Sequence, residues 1–421
     1  MNLVLSIIFL IFIVFNLFEF YLEYLNCKQL KKMGEKVPEG FESLIDKEKL
    51  SNINKYTLEK TKFGVINKIY SLVLIVLFMF LGLMNVYNSI IFSFNLSYYW
   101  NGIIYLFVLM FLFTVLEIPF DLHSTFKIEK KYGFNTMSAK LWIVDFVKSL
   151  VVSFILISVL IFASFAIIKY IEFWWFWVWL MFFIFTISMM YISPYVLEPL
   201  FNKFKPLEDQ ELSDQLTSTM QKVGIKISKI LTMDASKRTK HSNAYFSGIG
   251  RVKRIVLFDT LLENMNKDEI TAVIAHEAGH WKKKHILKRI ISIECIVLVA
   301  LIIAYLLIQN NFILAYFNIN AVDHYSYLFL LPCSFIILFF LFSIVMFPFK
   351  PIMNYRSRVH EKQADAYVVK LTGSSKNLVS ALRKLSADNL SNLYPHHWYS
   401  LFHYSHPPVM ERIDYLNSLD K

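Results

Sequence analysis

Long apolar runs alternate with charged connectors along the chain, and this alternation is its dominant pattern. A helix needs about 20 mainly apolar residues to cross a bilayer. The first run has neither a basic leading segment nor a small-residue cleavage site, so we expect a retained helix and no signal peptide. The pattern predicts a mainly α, polytopic membrane protein with seven transmembrane helices, at 3–23, 69–93, 101–120, 149–168, 173–194, 289–308 and 326–348.

The basic residues are distributed unevenly between the connectors, and this distribution predicts an orientation. Connectors 24–68 and 121–148 contain ten and five lysines, and segment 196–288 is also rich in Lys and Arg. Connectors 94–100 and 309–325 contain neither residue type. Because basic connectors stay on the cytosolic side, we expect the N-terminus outside and the C-terminus in the cytosol.

Composition narrows the class of protein further. The 421 residues are 56% hydrophobic, with a mean hydropathy of +0.47 and a net charge of +11. The basic residues flank the spans without an aromatic-interleaved patch, which argues against nucleic-acid binding and favours contact with anionic lipid. The widely separated Cys27, Cys295 and Cys333 predict neither a disulfide framework nor a cysteine-based metal site.

Two polar segments, 196–288 and 349–421, are predicted to form a zincin-like α+β catalytic region on the cytosolic side. In the first, an amphipathic helix at 208–223 precedes short β-prone runs near 229–234, 243–249 and 254–259. The second is predicted to be helical at 354–371, 376–390 and 407–419. The membrane part then comprises 1–195, with spans one to five, and 289–348, with the last two.

The motif His276-Glu277-Ala278-Gly279-His280 carries the clearest chemistry. Asn266, with Glu269 three residues later, predicts a capping box at the start of its helix. Two histidines four apart share one helix face and can bind a single zinc ion. Glu277 lies between them, where it can take a proton from the water that the zinc activates.

A catalytic zinc site needs a third protein ligand. In one class this ligand is a histidine six residues after the second, with glycine at the third position. Ile286 and Lys283 occupy those positions here, so that class is excluded. His285 is one residue too early; it is predicted to lie off the metal face as an exposed polar residue.

Glu361 is the best candidate for the third ligand, with the neighbouring His360 as a weaker alternative. Asp365, four residues after Glu361, lies on the same helix face. It could accept the second N–H of His276, since zinc-bound histidines usually donate to a carboxylate or carbonyl. The alternative interpretation is a solvated charged face.

Two further stretches fit peptide hydrolysis. The run that begins Asn243-Ala244 could be an edge strand that pairs with an extended substrate backbone. His406 and Arg412 could stabilise the oxyanion of a tetrahedral intermediate. His403 competes with His406, and the sequence leaves that choice open.

Taken together, these motifs resemble the type I CAAX prenyl proteases, which are integral-membrane zinc metalloendopeptidases. The resemblance covers nearly the whole chain. Its marks are Glu129-Lys130-Lys131-Tyr132-Gly133-Phe134-Asn135, Pro199-Leu200-Phe201-Asn202-Lys203-Phe204, Asn243-Ala244-Tyr245-Phe246, the motif at 276–280, the Glu361 to Asp365 stretch, and His403-Tyr404-Ser405-His406-Pro407-Pro408 with Glu411-Arg412.

The resemblance implies seven long helices around a large intramembrane chamber, one Zn²⁺ per chain, and removal of the last three residues of prenylated CaaX proteins. It implies that His276, His280 and Glu361 are ligands and that Glu277 is the general base. Asn243 and His406 would hold the substrate or transition state, supported by Arg412. We expect a monomer in the endoplasmic reticulum membrane if the source is eukaryotic, or in the cytoplasmic membrane if it is bacterial.

Other functions stay open at this point. A site-2-type intramembrane protease is disfavoured, because the chain has no Leu-Asp-Gly motif and Trp281-Lys282-Lys283-Lys284 would be costly at bilayer depth. A quality-control protease without a prenyl requirement and a non-enzymatic protein with structural zinc are the alternatives. Glu117 and Glu294 either line a water-filled interior or lie near the membrane interface.

Overall fold

The structure of the chain is a computed structural model that describes residues 2–248, 252–308, 312–319, 326 and 328–420. Helices dominate it. In chain order the α-helices are α1 (Leu3–Met33), α2 (Lys47–Met79), α3 (Leu83–Ser93), α4 (Tyr98–His123), α5 (Ala139–Tyr170), α6 (Trp174–Ile192), α7 (Leu197–Phe201), α8 (Gln210–Lys222), α9 (Asp259–Asn264), α10 (Lys267–Lys282), α11 (His285–Ile308), α12 (Phe312–Tyr316), α13 (Leu331–Met346), α14 (Lys350–Thr372), α15 (Lys376–Asp388), α16 (His397–His403) and α17 (Val409–Leu419). The strands are β1 (Phe204–Pro206), β2 (Lys226–Met233), β3 (Ala244–Ser247) and β4 (Val252–Phe258).

Seven helices of the described part are long and apolar enough to cross a membrane, which confirms the predicted number. They are α1, α2, α4, α5, α6, α11 and α13, the last of which runs through a short 3₁₀ turn into α14. Large apolar side chains on their outer faces are exposed, as at Phe339 (75%). Exposed apolar bands of this length are suited to lipid, so the chain is a multi-pass membrane protein.

The boundaries of the second span were predicted wrongly. The apolar run 69–93 is broken at Gly82, which adopts a left-handed conformation (φ 88°) and ends the helical path between α2 and α3. The span is α2, which begins at Lys47. At a rise of about 1.5 Å per residue, its 33 residues exceed the roughly 30 Å hydrocarbon core. Most of the predicted connector 24–68 is therefore helical and projects beyond the membrane.

The two carboxylic acids that the sequence left open both make contacts within the bundle. Ser71 on α2 donates a hydrogen bond to Glu117 on α4 at 2.9 Å. Glu294 on α11 is buried, and the indole of Trp179 donates to its backbone carbonyl. These contacts favour interior positions for both side chains. Connector 309–325 is described only at 312–319, and its remaining residues lie outside the described part.

The described strands form one four-stranded sheet in the order β1-β2-β4-β3. β2 and β4 are parallel, whereas β1 and β3 pair antiparallel with them at the two edges. Helix α10 packs on this sheet through Ile274 and Ala278, which join Ile255 and Leu257 of β4 in one fully buried cluster. The sequence predicted three of these strands and missed the short β1; it also missed helix α16.

Helix α10 begins with the predicted capping box. The Asn266 side chain accepts from the backbone N–H of Glu269, and the Glu269 carboxylate accepts from that of Asn266. Near its other end, α10 crosses α14 closely at Gly279. A Cβ at that position would lie 3.0 Å from the Cα of Ala364 and 3.1 Å from its carbonyl oxygen. Glycine thus allows the approach that brings the residues of α14 to those of α10.

Candidate metal centre

The two histidines of α10 and Glu361 of α14 converge on one point. The Nε2 atoms of His276 and His280 lie 3.2 Å apart. Each Nε2 atom is 3.3 Å from an oxygen of Glu361, His276 from Oε2 and His280 from Oε1. Within the described residues this is the one group of three His, Cys, Asp or Glu side chains with metal-ligand spacing.

The donor set fits a zinc ion. Two imidazoles and a carboxylate are the ligands of a common class of catalytic zinc sites. Oε2 of Glu361 is buried and has no hydrogen-bond partner among the described residues. A carboxylate oxygen buried beside two imidazole nitrogens is stabilised by a cation among them, because lone pairs at this spacing otherwise repel one another.

Asp365 and Arg412 lie directly behind His276. Asp365 Oδ1 is 2.8 Å from His276 Nδ1. Arg412 donates two hydrogen bonds to the same carboxylate, from Nε at 2.9 Å and from Nη2 at 2.6 Å. The Asp365 side chain is fully buried and that of Arg412 is 11% exposed. Arg412 thus lies on the Asp365 side of His276, which favours a supporting role over direct contact with an oxyanion.

The electrostatics of this cluster favour positive charge at His276. Burial alone lowers the pKa of His276, but the neighbouring carboxylates of Asp365 and Glu361 raise that pKa to about 9. Burial likewise lowers the pKa of Arg412, and the ion pair with Asp365 more than offsets this and raises it. The field that retains a proton on His276 is the field that attracts a metal cation.

Glu277 is half-buried on α10 between the two histidines. Its negative charge is close enough to contribute to the raised pKa of Arg412. It therefore lies beside the cluster while its carboxylate stays separate from the three converging donors. A carboxylate between two histidine donors on one helix is the sequence arrangement expected of a general base next to a metal.

The sequence-based prediction for His285 was wrong. Its side chain is buried, at 3% exposure. Nδ1 of His285 lies 3.0 Å from Nδ1 of His280, and Nε2 lies 2.9 Å from Oε1 of Gln363. His360, the weaker alternative ligand, instead stacks on the His285 ring with centroids 4.0 Å apart. The helical-wheel argument failed because α10 ends at Lys282 and Lys284 adopts φ 55°, so the chain turns and returns His285 to His280.

The structure separates His406 from His403. Nε2 of His406 lies 3.5 Å from Oε1 of Glu361, and the side chain is 64% exposed. His403 is half-buried and packs against Tyr399 and Phe402. Only His406 borders the metal cluster and also faces open space.

Arg358 holds the loop that carries His406, and sequence reasoning missed it. Its Nη1 donates to the carbonyl oxygens of Tyr404 at 2.7 Å, Leu401 at 3.2 Å and Ser400 at 3.3 Å, at the end of α16. Arg358 precedes Glu361 by three residues on α14, so one helix carries both residues. That i, i+3 spacing was the available signal.

Asn243 and Ala244 lie at the start of the sheet edge. β3 pairs with β4 on one side, and its other side is an edge of the sheet. Asn243 is exposed, and its Oδ1 accepts from the backbone N–H of Ala244 at 2.8 Å. The backbone carbonyl of Asn243 accepts from Phe258 on β4. β3 is an edge strand of the described sheet, and a strand in that place could pair with an extended peptide.

Comparisons with known proteins agree with this architecture. Residues 26–203 match the family described as CAAX prenyl protease N-terminal, five membrane helices, and residues 206–420 match peptidase family M48. CAAX prenyl protease 1 of Saccharomyces cerevisiae is 34% identical over 94% of this chain and 92% of its own. The uncharacterized metalloprotease YhfN of Bacillus subtilis is 29% identical over 74% of this chain and 72% of its own. The crystal structure of Ste24p from S. mikatae superimposes with a TM-score of 0.87 at 32% identity, covering 97% of this chain and 98% of that one.

Proposed function

The chain belongs to the CAAX prenyl protease family of M48 metallopeptidases, and we propose that it removes the C-terminal tripeptide from prenylated CaaX proteins. It is a multi-pass membrane metalloprotease. The observation that carries the finer proposal is the convergence of His276, His280 and Glu361, two of them on the helix that packs against the edge strand β3. Three donors with an open side are typical of catalytic metal sites, whereas structural zinc sites are closed by four.

In this proposal His276, His280 and Glu361 hold one zinc ion. When bound, the ion supplies a Lewis acid that makes a water acidic near neutral pH and polarises the scissile carbonyl. Asp365 accepts the Nδ1–H of His276 and so directs its Nε2 lone pair to the metal. Arg412 fixes Asp365 and compensates its charge.

The remaining steps belong to side chains at the open face. Glu277 takes a proton from the attacking water and returns it to the leaving amine, as general base and then general acid. His406, exposed and 3.5 Å from Glu361, donates a hydrogen bond to the oxyanion that forms on the substrate. Arg358 keeps His406 in place through the carbonyls at the end of α16.

The substrate backbone is proposed to extend along the free edge of β3, with Asn243 and Ala244 as its first partners. An apolar cavity of about 1060 Å³ lies among α1, α2, α4, α11 and α13, lined by residues such as Ile8, Leu109 and Phe335. Apolar walls of this kind suit a lipid chain or a hydrophobic peptide. This is the support for a prenylated or hydrophobic C-terminus as the substrate.

The proposed orientation places α10, α14 and the C-terminal helices in the cytosol, the compartment that contains the C-termini of CaaX proteins. It follows from the basic connectors. We propose a monomer in the endoplasmic reticulum membrane of a eukaryotic cell, or in the cytoplasmic membrane of a bacterial one. Relatives occur in both settings, in yeast and in Bacillus.

A cleavage assay tests the proposal. The detergent-purified chain is incubated with a farnesylated CaaX peptide and with its unprenylated twin, and tripeptide release is followed by mass spectrometry. We expect cleavage that a chelator abolishes and zinc restores. Glu277→Gln should retain zinc and lose about 10²–10⁴-fold in kcat; turnover by this variant at the wild-type rate would refute the assigned base.

The peptide pair distinguishes the two protease assignments. Equal cleavage of both peptides would replace the CaaX assignment by a protease without a prenyl requirement, such as one for membrane-protein quality control. Stoichiometric zinc with no cleavage of either peptide would refute the CaaX activity while leaving the metal centre in place. Absence of zinc binding would refute the metal centre itself.

A further inference from the structure

Nδ1 of His280, the ring nitrogen that does not face Glu361, lies 3.0 Å from Nδ1 of His285. The proposed mechanism assigns no role to His285. We infer that His285 is a positioning residue, which fixes His280 in its metal-binding orientation by accepting a hydrogen bond from it and donating one to Gln363. The inference deepens the proposed function and rests on it only in taking His280 as a ligand.

The direction of each hydrogen bond follows from the ligand role of His280. If Nε2 of His280 offers its lone pair to the metal, its Nδ1 carries the proton. The partner of that N–H is Nδ1 of His285, 3.0 Å away, which must therefore be an acceptor. A neutral imidazole with an acceptor at Nδ1 carries its proton at Nε2. That atom lies 2.9 Å from Oε1 of Gln363, which can accept it.

Burial and stacking make this arrangement rigid. His285 is 3% exposed, so water has little access to compete for its nitrogens. Its ring lies parallel to that of His360, with an interplanar angle of 8° and centroids 4.0 Å apart. Gln363 and His360 both belong to α14, the helix that supplies Glu361. The orientation of His280 is thus tied to the helix of the third donor.

The two histidine ligands are therefore oriented by different chemistry. His276 faces the carboxylate of Asp365, whose charge Arg412 compensates. His280 faces a neutral imidazole. A second carboxylate would add uncompensated negative charge to the buried site and make a bound metal a weaker Lewis acid. The neutral acceptor supplies orientation without that charge.

Zinc affinity of the full-length protein in detergent is the readout, measured by competition with a chromogenic chelator. His285→Leu removes the acceptor and should weaken zinc binding about 10–100-fold, the usual effect of losing an outer-shell partner of a ligand. His285→Asn should restore the affinity to within several-fold of wild type, because its amide oxygen lies near the position of the imidazole Nδ1. His397→Leu, the same change at an exposed site, is the matched control and should leave the affinity unchanged.

A merely structural role is separated by melting temperatures measured with and without zinc. Positioning predicts that His285→Leu gains less melting temperature on adding zinc than wild type does, beyond any difference between the two zinc-free proteins. A double variant with Gln363→Leu should bind zinc no more weakly than His285→Leu alone, since both residues act on one hydrogen-bond chain.

Wild-type zinc affinity in His285→Leu would overturn the inference and leave the proposed protease standing. Equal losses in His285→Leu and His285→Asn, with lowered melting of both zinc-free proteins, would also overturn it in favour of packing. If wild type itself binds no zinc, the proposed function fails, and this result is distinguishable from either of the other two.

Discussion

At the scale of single residues, the buried ion pair between Asp365 and Arg412 combines stability with metal binding. Its carboxylate is inaccessible to solvent and accepts from both Arg412 and His276. Removing one partner of a buried pair leaves the other charge without compensation, which typically costs about 3–5 kcal/mol. The intact pair contributes little net free energy of folding, because desolvation of the two charges offsets their attraction. Its main contribution is therefore the orientation that it imposes on His276.

Asp365→Asn tests this view. The amide keeps the shape of the side chain but loses the charge that faces Arg412 and His276. We expect a lower melting temperature of the zinc-free protein and about 10–100-fold weaker zinc binding. Calorimetry and chelator competition on the same preparations measure both effects. Unchanged melting with unchanged zinc affinity would contradict the assigned contacts.

Glu269 provides a test of pH dependence away from the metal ligands. It is buried at the capping box, where Lys384 contacts it at 2.7 Å and Ser380 at 2.6 Å. Burial raises the pKa of Glu269, but these hydrogen bonds outweigh it, so the pKa is lower than in the unfolded chain. A depressed carboxyl pKa contributes stability above the unfolded value, near 4.5, and that stability is lost as the pH falls through the folded value.

Glu269→Gln should therefore destabilise the protein at pH 7 by about 1–3 kcal/mol, the range for hydrogen bonds to a charged group. The difference in melting temperature between wild type and variant should shrink as the pH is lowered from 5 towards 3.5. Thermal melts at several pH values in one detergent measure it. A difference that is independent of pH across this range would show that the charge of Glu269 contributes nothing.

At this scale, the sequence predicts the position of a side chain correctly when the residue lies within a regular helix. Glu361 and Asp365 were predictable because both lie on α14 with i, i+4 spacing. His285 was placed wrongly because the argument extended α10 past its true end. The turn at Lys284, with φ 55°, changes the direction of the chain, and no periodic pattern in the sequence predicts this turn. Contacts between residues far apart in sequence, such as Arg358 with the α16 carbonyls, need the tertiary fold.

At the scale of elements, the crossing of α10 and α14 sets the spacing of the metal centre. The two helices approach closely at Gly279, where an added Cβ would meet backbone atoms of Ala364 at 3.0 and 3.1 Å. Backbone cannot swing aside as a flexible side chain can. A methyl group here must therefore push the two helices apart by a few tenths of an ångström, and Glu361 moves away from the histidines with its helix.

Gly279→Ala should lower stability by about 1–3 kcal/mol through overpacking and reduce both zinc affinity and cleavage. Gly64→Ala is the matched control, since Gly64 lies within α2 and an added Cβ there meets nothing within 4 Å. That control should be neutral or slightly stabilising because alanine favours helix. The measurements are melting temperature, chelator competition and peptide cleavage. Zinc binding of Gly279→Ala equal to that of Gly64→Ala would contradict the close crossing.

The elements also show where hydropathy misleads. The apolar run 69–93 predicted one helix, but an apolar segment is compatible with a break wherever glycine permits a left-handed residue, as Gly82 does. β1, with three residues, is too short for an alternating pattern to appear. Helix α10, in contrast, was predictable from its capping box and apolar stripe, because both are local features.

At the scale of the whole molecule, the metal centre joins two parts that the sequence shows separately. α14 continues from the last membrane helix α13, and α11 begins at His285, beside the proposed ligand His280. The proposed ligands therefore lie close in the chain to membrane helices, Glu361 after α13 and His280 before α11. The large intramembrane chamber that the family resemblance implies stays a prediction. The apolar cavity of about 1060 Å³ among five helices depends on helix packing, which no pattern in a single sequence reveals.

The basic connectors predict the orientation of the whole molecule in the membrane. A chain with its native cysteines replaced by serine receives one new cysteine, at Ser97 between α3 and α4 or at Lys131 between α4 and α5. Both positions are exposed. In sealed vesicles with the cytosolic side outward, a membrane-impermeant maleimide should label Lys131→Cys at once and Ser97→Cys only after detergent is added. The excess of Lys and Arg on the Lys131 side is the physical reason.

Immediate labelling of Ser97→Cys with protection of Lys131→Cys would invert the topology and put the metal centre outside the cytosol, away from CaaX proteins. Cleavage of the farnesylated peptide by intact vesicles is the functional counterpart: it requires the site on the outer face of the same preparation.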